Sequence, residues 1–292
     1  METKFFSSHE EIDADLKSGP ICAADIEESV YRSHPAINIS SLKSMSSSAS
    51  KFAWERKFPR EPSPAMVLGS AIHAAMLQPD VFDNTYYELP KIDRRTKAGK
   101  EKAAEIEAAN VGKIGLSTQD MDTVNRLHAK AYDDPWLSQF FNKGLKERSF
   151  FRNDAYTGLT LKGKIDNWRQ EGNVVIDLKT TDCAAERVFK HDIVKYDYIS
   201  QAAFYYDMVH HCSGEKPFAF IIVAVEKTKD CDVNVFHLDN DALGVGRAMY
   251  RKWLDKYAEC VKTGQWPGYD RKFINFSAPN WMLETYGSEL DV

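Results

Sequence analysis

The pattern of hydrophobic and polar positions changes character near residue 147. Before this point the pattern is helical. Residues 64–77 form an apolar run with a capping serine before it and a proline just after it, which predicts a buried helix. Residues 97–109, rich in Ala, Glu and Lys, and residues 117–134, which begin with a capping-box pattern, predict two further helices.

After residue 147 the pattern is typical of strands, with glycine-containing turns between them. Strands are predicted at residues 147–153, 159–168, 173–180, 217–225 and 231–238. Helices are predicted at residues 197–212 and from 239 to about 262. Three strands, a helix, two strands and a helix predict a single α/β domain.

The two ends of the chain are less regular. Residues 1–36 are acidic and mixed, without a sustained period, so their order stays open. Residues 40–50 contain seven serines and fit either a linker or short capped helices. The main domain is expected to span residues 37–265, with residues 266–292 as a tail.

Composition excludes several classes of protein. The chain has 292 residues, of which 43% are hydrophobic, too many for a disordered protein. The longest apolar run, residues 218–225, is less than half of the roughly 20 residues that a spanning helix needs, so no membrane association is expected. The net charge of −5 argues against coating nucleic acid by bulk attraction, although residues 91–102 hold six cations and two acids.

Five cysteines are scattered along the chain without C-x-x-C spacing. Together with the absence of an apolar leader, this predicts free thiols in a reducing cytoplasm and no iron–sulfur or zinc cluster.

Two acidic residues are expected to face each other across a hairpin. A turn centred on residues 171 and 172 places Asp166 directly opposite Asp177, and Lys179 lies on the same strand face as Asp177. Like charges so placed repel, so three outcomes are open: one pKa rises, Asp177 pairs with Lys179, or a cation binds. Two carboxylates suit Mg²⁺ or Mn²⁺, and the neighbouring lysine suits phosphoryl chemistry. An exposed strand face with a salt bridge is the plainer alternative.

Other polar residues are weaker candidates when each is taken alone. His73 lies in the apolar helix one turn after Gly69, and could be either a core residue or a ligand. Gln201 and Tyr205 are four residues apart and share a helix face, as ordinary helix–sheet contacts also do. Glu147, flanked by two cations, resembles a solvated surface charge.

Taken together, these residues resemble the PD-(D/E)XK nuclease superfamily in its RecB-like branch. The branch pattern is G-x-x-x-H, an acidic residue, G-x-x-D, D/E-x-K and Q-x-x-x-Y. The matching residues, in that order, are Gly69 with His73, Glu147, Gly163 with Asp166, Asp177 with Lys179, and Gln201 with Tyr205. Residues 39–43, 51–54, 64–73 and 95–100 are further similar to the RecE-type (exodeoxyribonuclease VIII) nucleases of phages and prophages.

The resemblance implies a restriction-endonuclease-like core, a central mixed sheet flanked by helices, with a Mg²⁺ site that also accepts Mn²⁺. The metal ligands it implies are His73, Asp166, Asp177 and the backbone carbonyl of Leu178, with Glu147 as a possible accessory ligand. The catalytic group it implies is Asp166, Asp177, Lys179, Gln201 and Tyr205, in which Gln201 and Tyr205 position the scissile phosphate or the end nucleotide. The candidate DNA contacts in the basic run are Arg94, Arg95, Lys97 and Lys100.

The expected activity is 5′-to-3′ digestion of one strand of double-stranded DNA from an end, leaving a 3′ overhang for recombination. The resemblance also implies a ring-shaped homo-oligomer and a single-strand annealing protein as partner, in the cytoplasm of a bacterium or a phage-infected cell. Two alternatives stay open: a structure-specific endonuclease or repair nuclease of the same superfamily, and a non-catalytic module that binds DNA ends.

Overall fold

A computed structural model describes residues 4–93 and 95–286. Within these residues the strands are β1 (Phe5–Phe6), β2 (Ile21–Ile26), β3 (Tyr86–Leu89), β4 (Ile114–Ser117), β5 (Leu145–Asn153), β6 (Thr160–Arg169), β7 (Val174–Thr181), β8 (Ala219–Glu226) and β9 (Val233–Leu238). The first helices are α1 (His9–Leu16), α2 (Glu28–Ser33), α3 (Ile39–Leu42), α4 (Ala49–Lys57), α5 (Pro64–Leu77) and α6 (Pro79–Thr85). The later helices are α7 (Lys97–Ala109), α8 (Thr118–Asp133), α9 (Pro135–Ser138), α10 (Glu186–Lys195), α11 (Tyr198–Ser213), α12 (Asn240–Thr263) and α13 (Asn280–Tyr286).

Seven of these strands form one mixed sheet in the order β1-β2-β5-β6-β7-β8-β9. The pairs β1–β2 and β7–β8 are parallel and the other neighbours are antiparallel. Strands β3 and β4 form a separate two-stranded parallel sheet. The predicted α/β fold with a central mixed sheet is therefore confirmed.

Helices cover both faces of the sheet. On one face, α3, α4, α10, α11 and α12 enclose a core that includes Phe150, Phe204 and Leu254. On the other face, α5 and α8 pack over Ile176 and Leu178 of β7. Strand β7 has helices on both faces, and four consecutive residues of it, Val175, Ile176, Asp177 and Leu178, are buried.

The helices and strands predicted from residue 64 onward are confirmed with bounds that differ by at most two residues. Ser63 caps α5 through a hydrogen bond from the Met66 N–H, and Pro79, predicted to end α5, begins α6. The serine-rich stretch forms short helices, since Asn38 caps α3 and Ser48 caps α4. Strands β1 to β4 were not predicted, nor were the helices α1, α2, α6, α9, α10 and α13.

The N-terminal segment, whose order the sequence left open, extends the sheet. Strand β2 pairs with β5, and β1 pairs with β2 at the sheet edge. Helix α1 packs beneath them, with Ile12 and Leu16 buried against Phe151.

The crossing of α11 and α12 is unusually close at one glycine. A Cβ on Gly246 would lie 2.0 Å from the Ile199 carbonyl oxygen, so this position requires glycine. The close approach fixes the first turn of α11, where Gln201 lies.

No helix in the described ranges is long and apolar enough to cross a membrane.

Candidate metal centre

His73 projects from the third turn of α5 toward the sheet. Its Nδ1 lies 3.7 Å from Asp166 Oδ2 and 4.0 Å from Glu147 Oε1. The imidazole therefore faces two carboxylates from two different strands. The core-histidine alternative does not describe this environment, because the neighbours of the ring are acidic and the side chain is partly exposed.

Glu147 belongs to this group although its flanking charges suggested a surface residue. Its backbone has φ 51°, in the left-handed region that non-glycine residues rarely adopt within a strand. Such strain persists where the surrounding structure imposes it, and it occurs often at functional sites. Burial, and next the charge of Asp166, raise the pKa of Glu147 from its usual 4.5 to about 8.

Ligand atoms of His73, Glu147 and Asp166 all lie within 4.8 Å of one another. Burial, and then the neighbouring Asp177 charge, raise the pKa of Asp166 as well. Two carboxylates that resist ionisation side by side are stabilised by a bound cation. One imidazole nitrogen with carboxylate oxygens is a donor set that suits Mg²⁺ or Mn²⁺ and leaves positions open for water and substrate.

The hairpin register agrees with the sequence arithmetic. The last ladder pair of β6 and β7 toward the site is Asn167 with Ile176, so Asp166 and Asp177 come next. There the strands part, and the Leu178 N–H donates 2.7 Å to Asp166 Oδ2. Because the N–H and C=O of a strand residue point to the same neighbour, the Leu178 carbonyl also faces the Asp166 side.

Asp177 is almost completely buried and forms an ion pair with Lys179. The Gln201 amide lies 3.4 Å from its other carboxylate oxygen. Burial lowers the pKa of Lys179, but the charges of Asp177 and Asp166 outweigh that effect and raise it. Lys179 is therefore a cation held beside the carboxylate cluster. Asp177 is not one of the three residues grouped within 4.8 Å, so its place among the metal ligands stays a prediction.

Tyr205 lies one turn after Gln201, beneath the sheet. A Cβ on Gly163 would lie 3.1 Å from its ring, so the glycine makes room for the tyrosine. Burial raises the pKa of Tyr205 well above its usual value, and the hydroxyl therefore stays protonated. The Gly163–Tyr205 contact links the G-x-x-D and Q-x-x-x-Y motifs physically.

Lys43 is a neighbour of the site that the site prediction did not include. Its Nζ donates 2.8 Å to the Tyr196 carbonyl and lies 5.4 Å from the centre of the Tyr198 ring, while Lys179 lies 5.0 Å from the same ring. Burial, and next the positive charge of Lys179, lower the pKa of Lys43 to about 8. Lys43 lies in the stretch that resembles the opening of RecE-type nucleases, which was the available signal.

The candidate DNA contacts at the start of α7 are exposed. Arg95 pairs with Asp93, and Lys97 lies 3.9 Å from Glu101. Lys100 is also exposed, while Arg94 lies outside the described residues. Among the described residues, no ion pair joins Arg95, Lys97 or Lys100 to the carboxylates of the metal cluster. The role of the four cations as DNA contacts stays a prediction.

Comparison with known proteins relates this chain to one protein family. Residues 38–273 match the family model described as "PDDEXK-like domain of unknown function (DUF3799)". The match confirms the resemblance to the PD-(D/E)XK superfamily and supports nuclease activity. No curated protein matches the chain.

Two solved structures are similar to this one. The structure of a candidate exonuclease from Eubacterium rectale superimposes with a TM-score of 0.61 at 17% identity, over 90% of this chain and 99% of that chain. At this identity the likeness shows the fold. A second structure, SSO0001, matches with a TM-score of 0.28 at 14% identity, over 55% of this chain and 68% of that chain, which is too low to bear on either fold or site.

Proposed function

Because this chain belongs to the family of PDDEXK-like domains of unknown function (DUF3799), we propose that it is a metal-dependent exodeoxyribonuclease. It degrades one strand of duplex DNA 5′ to 3′ from an end and leaves a 3′ overhang for recombination. The observation that carries the nuclease proposal is the cluster of His73, Glu147 and Asp166 beside the Asp177–Lys179 pair. The end requirement and the polarity come from the resemblance to RecE-type nucleases.

His73, Glu147 and Asp166 would hold the metal, with Asp177 and the Leu178 carbonyl as further ligands. Oxygen-rich donors around a partly exposed imidazole favour Mg²⁺, with Mn²⁺ as a substitute. When bound, the ion would neutralise charge on the phosphate and lower the pKa of a coordinated water.

Lys179 and Gln201 can act on the substrate directly, and Tyr205 acts through Gln201. Lys179 is held at the cluster by Asp177 and can stabilise negative charge on the phosphate or orient the attacking water. Gln201 is aligned on Asp177 and can donate its other N–H to a phosphate oxygen. Tyr205, kept protonated by burial, supports Gln201 from the same helix face.

The test is digestion of matched linear, nicked and circular duplexes with Mg²⁺ and with EDTA. Mg²⁺-dependent loss of the linear duplex is expected, with early release of label from its 5′ ends and survival of closed circular DNA. Cleavage of closed circles would instead assign the structure-specific endonuclease or repair activity. Binding to ends without digestion of any substrate would assign a non-catalytic module.

We further propose that the protein assembles as a homo-oligomer through its tail, consistent with the ring that the resemblance implies. The tail is anchored up to Pro267, whose carbonyl accepts a hydrogen bond from the Ser50 N–H. Beyond this point Phe273, Ile274 and Phe276 are at least 80% exposed. Contiguous apolar exposure of this kind is typical of a protein interface.

Light scattering during gel filtration tests the oligomer. The full chain is expected to exceed the monomer mass, and a chain ending at Gly268 is expected to lose that assembly while keeping its helical circular dichroism. A full chain that runs as a monomer would exclude the proposal. A single-strand annealing protein remains the proposed user of the 3′ overhang.

A further inference from the structure

A polar cavity lies at the end of α11 that is far from the metal cluster. Its volume is about 670 Å³, and it lies between the end of β5, the end of α11 and the first half of α12. Glu147 and Arg152 are five residues apart on β5, which corresponds to about 17 Å at ~3.3 Å per residue. The cavity is therefore separate from the candidate metal centre.

Cationic side chains outnumber carboxylates in this cavity. Four cations line it, Arg152, Lys216, Arg247 and Arg251, against two acids, Asp154 and Asp207. Both acids are already satisfied within the protein. Asp207 accepts two hydrogen bonds from Arg247 and one from Tyr250, and Asp154 pairs with Arg152 and Arg251. Arg251 also lies 3.5 Å from Asp255, just outside the lining, so the cavity and its immediate surroundings hold one cation more than carboxylates.

Two of the cations have unused hydrogen-bonding capacity. Arg152 is 6% exposed, and its Nε has no hydrogen-bond partner among the described residues. Lys216 is exposed on the rim and forms no ion pair within the described ranges. Lys216 is therefore the cation most open to a phosphate from outside, while Arg152 is a buried cation in the cavity wall.

Aromatic rings add a second kind of contact. Tyr156 is 89% exposed at the rim, and the Arg251 guanidinium lies 5.1 Å from the centre of its ring. Arg247 lies 5.9 Å from the ring of Tyr206, which also lines the cavity. Basic side chains interleaved with exposed aromatic rings are the pattern that binds single-stranded nucleic acid, where phosphates meet the cations and bases stack on the rings.

We propose that this cavity binds a segment of single-stranded DNA through its phosphates and one stacked base. Its volume admits nucleotides of an unstacked strand but not a duplex. The strand's identity as the product or overhang of digestion rests on the proposed nuclease function, whereas the binding itself needs no cleavage. The aromatic rim favours a nucleic acid over an acidic peptide, which would use the cations but gain little from an exposed tyrosine ring.

The experiment measures the affinity of a fluorescent oligothymidylate by anisotropy in EDTA. The double variant Tyr156→Ala/Lys216→Ala changes two exposed side chains and is expected to bind about ten-fold more weakly, with a salt slope shallower by about one. Tyr156→Phe/Lys216→Arg, which keeps ring and charge, is expected to bind like the parent. The matched control Trp136→Ala/Lys252→Ala removes an exposed ring and an exposed lysine outside the cavity.

Equal affinity of parent and double variant, or an equal loss in the matched control, would overturn the proposal. Polyglutamate that competes as well as the strand would assign an acidic peptide site. Inorganic phosphate that displaces the strand from the parent but not from the double variant would assign a site for free phosphate; either result contradicts the proposal. Digestion in Mg²⁺ is scored separately, so binding can fail while nuclease activity persists, and the reverse.

Discussion

Lys179 forms an ion pair with Asp177, is near the charge of Asp166 and lies 5.0 Å from the centre of the Tyr198 ring, with 13% of its side chain exposed. Burying a charge in this way is costly unless it is paired, and Asp177 supplies the pair. The same contact holds the ammonium group beside the carboxylate cluster. The ion pair with Asp177 therefore keeps Lys179 charged and also fixes its position.

Asp177→Ala and Lys179→Ala are each expected to lower the cleavage rate at least about 100-fold, because Lys179 acts on the phosphate and Asp177 holds Lys179 in place and is a proposed metal ligand. Binding to DNA ends should persist, since most affinity comes from contacts outside the site. Single-turnover digestion and anisotropy measure the two properties. Lys190→Ala, an exposed lysine of α10, is the control and should cleave normally. Near-normal cleavage by either site variant would remove the assigned roles.

Glu147 makes the stability of the metal-free protein depend on pH. Its pKa is 4.5 ordinarily and about 8 in the folded chain, so between these values the folded state binds more protons than the unfolded state. Stability therefore falls as pH rises through this window. Glu147→Gln should abolish most of this loss of stability. At the high-pH end of the window, the loss in free energy of unfolding that the variant avoids is about 2–4 kcal/mol.

Thermal unfolding in EDTA at both ends of the window measures this effect. Glu259→Gln, an exposed glutamate of α12, is the control and should keep the parent's pH dependence. A Glu147→Gln protein whose stability depends on pH as the parent's does would show that the fold does not raise the pKa of this carboxylate. Added Mn²⁺ should restore stability to the parent at high pH but not to the variant.

At the scale of elements, the α11–α12 crossing positions the helix that carries Gln201 and Tyr205. Gly246→Ala should destabilise the protein by about 1–3 kcal/mol or more, because the new methyl group meets the Ile199 carbonyl. Cleavage should fall too, since Ile199 lies two residues before Gln201. Gly244→Ala is the matched control two residues away, where a Cβ meets nothing within 4 Å. It should stabilise by about 0.5–1 kcal/mol. Equal stability of the two variants in urea would contradict the packing account.

The site motifs were predictable because each depends on short-range geometry. The hairpin register of Asp166 and Asp177 follows from counting residues across one turn, and Gln201 with Tyr205 from one helical turn. The prediction that α5 meets this hairpin came from the family resemblance. No local pattern could have joined His73 to Asp166, because more than ninety residues separate them. The structure then supplied the contact.

What was missed depends on long-range pairing or on backbone strain. Strand β1 has two residues, too few to show a period, and β2 becomes a strand by pairing with β5 more than a hundred residues later. Taken alone, Glu147 resembled a solvated charge because its neighbours are cationic, although the family resemblance implied it as a possible accessory ligand. Its left-handed backbone was missed, since residue type does not reveal it. Lys43 reaches the site through the fold of the N-terminal helices.

For the molecule as a whole, the charge of −5 conceals uneven local charge. The acids of the site would be neutralised by a metal, while exposed cations at the start of α7 can meet DNA phosphates. The triple variant Arg95→Ala/Lys97→Ala/Lys100→Ala should therefore bind DNA ends with a salt slope shallower by about two to three. A triple variant with the parent's slope would remove α7 from the DNA interface.

The matched control is Lys190→Ala/Lys195→Ala/Lys252→Ala, which removes three cations elsewhere. When its DNA affinity is measured across a salt series, the slope of affinity against salt should be nearly the same as that of the parent. The same series on closed circular DNA is expected to give weak binding, because the net charge opposes attraction away from ends.

The central claim is that His73, Glu147 and Asp166 form a divalent metal site. The direct measurement is an anomalous difference map from crystals soaked in Mn²⁺. The account predicts a peak within coordination distance of all three side chains, about 2.0–2.3 Å from each, lost in Glu147→Gln crystals. A map without density there, or a peak that these three side chains do not coordinate, would contradict it.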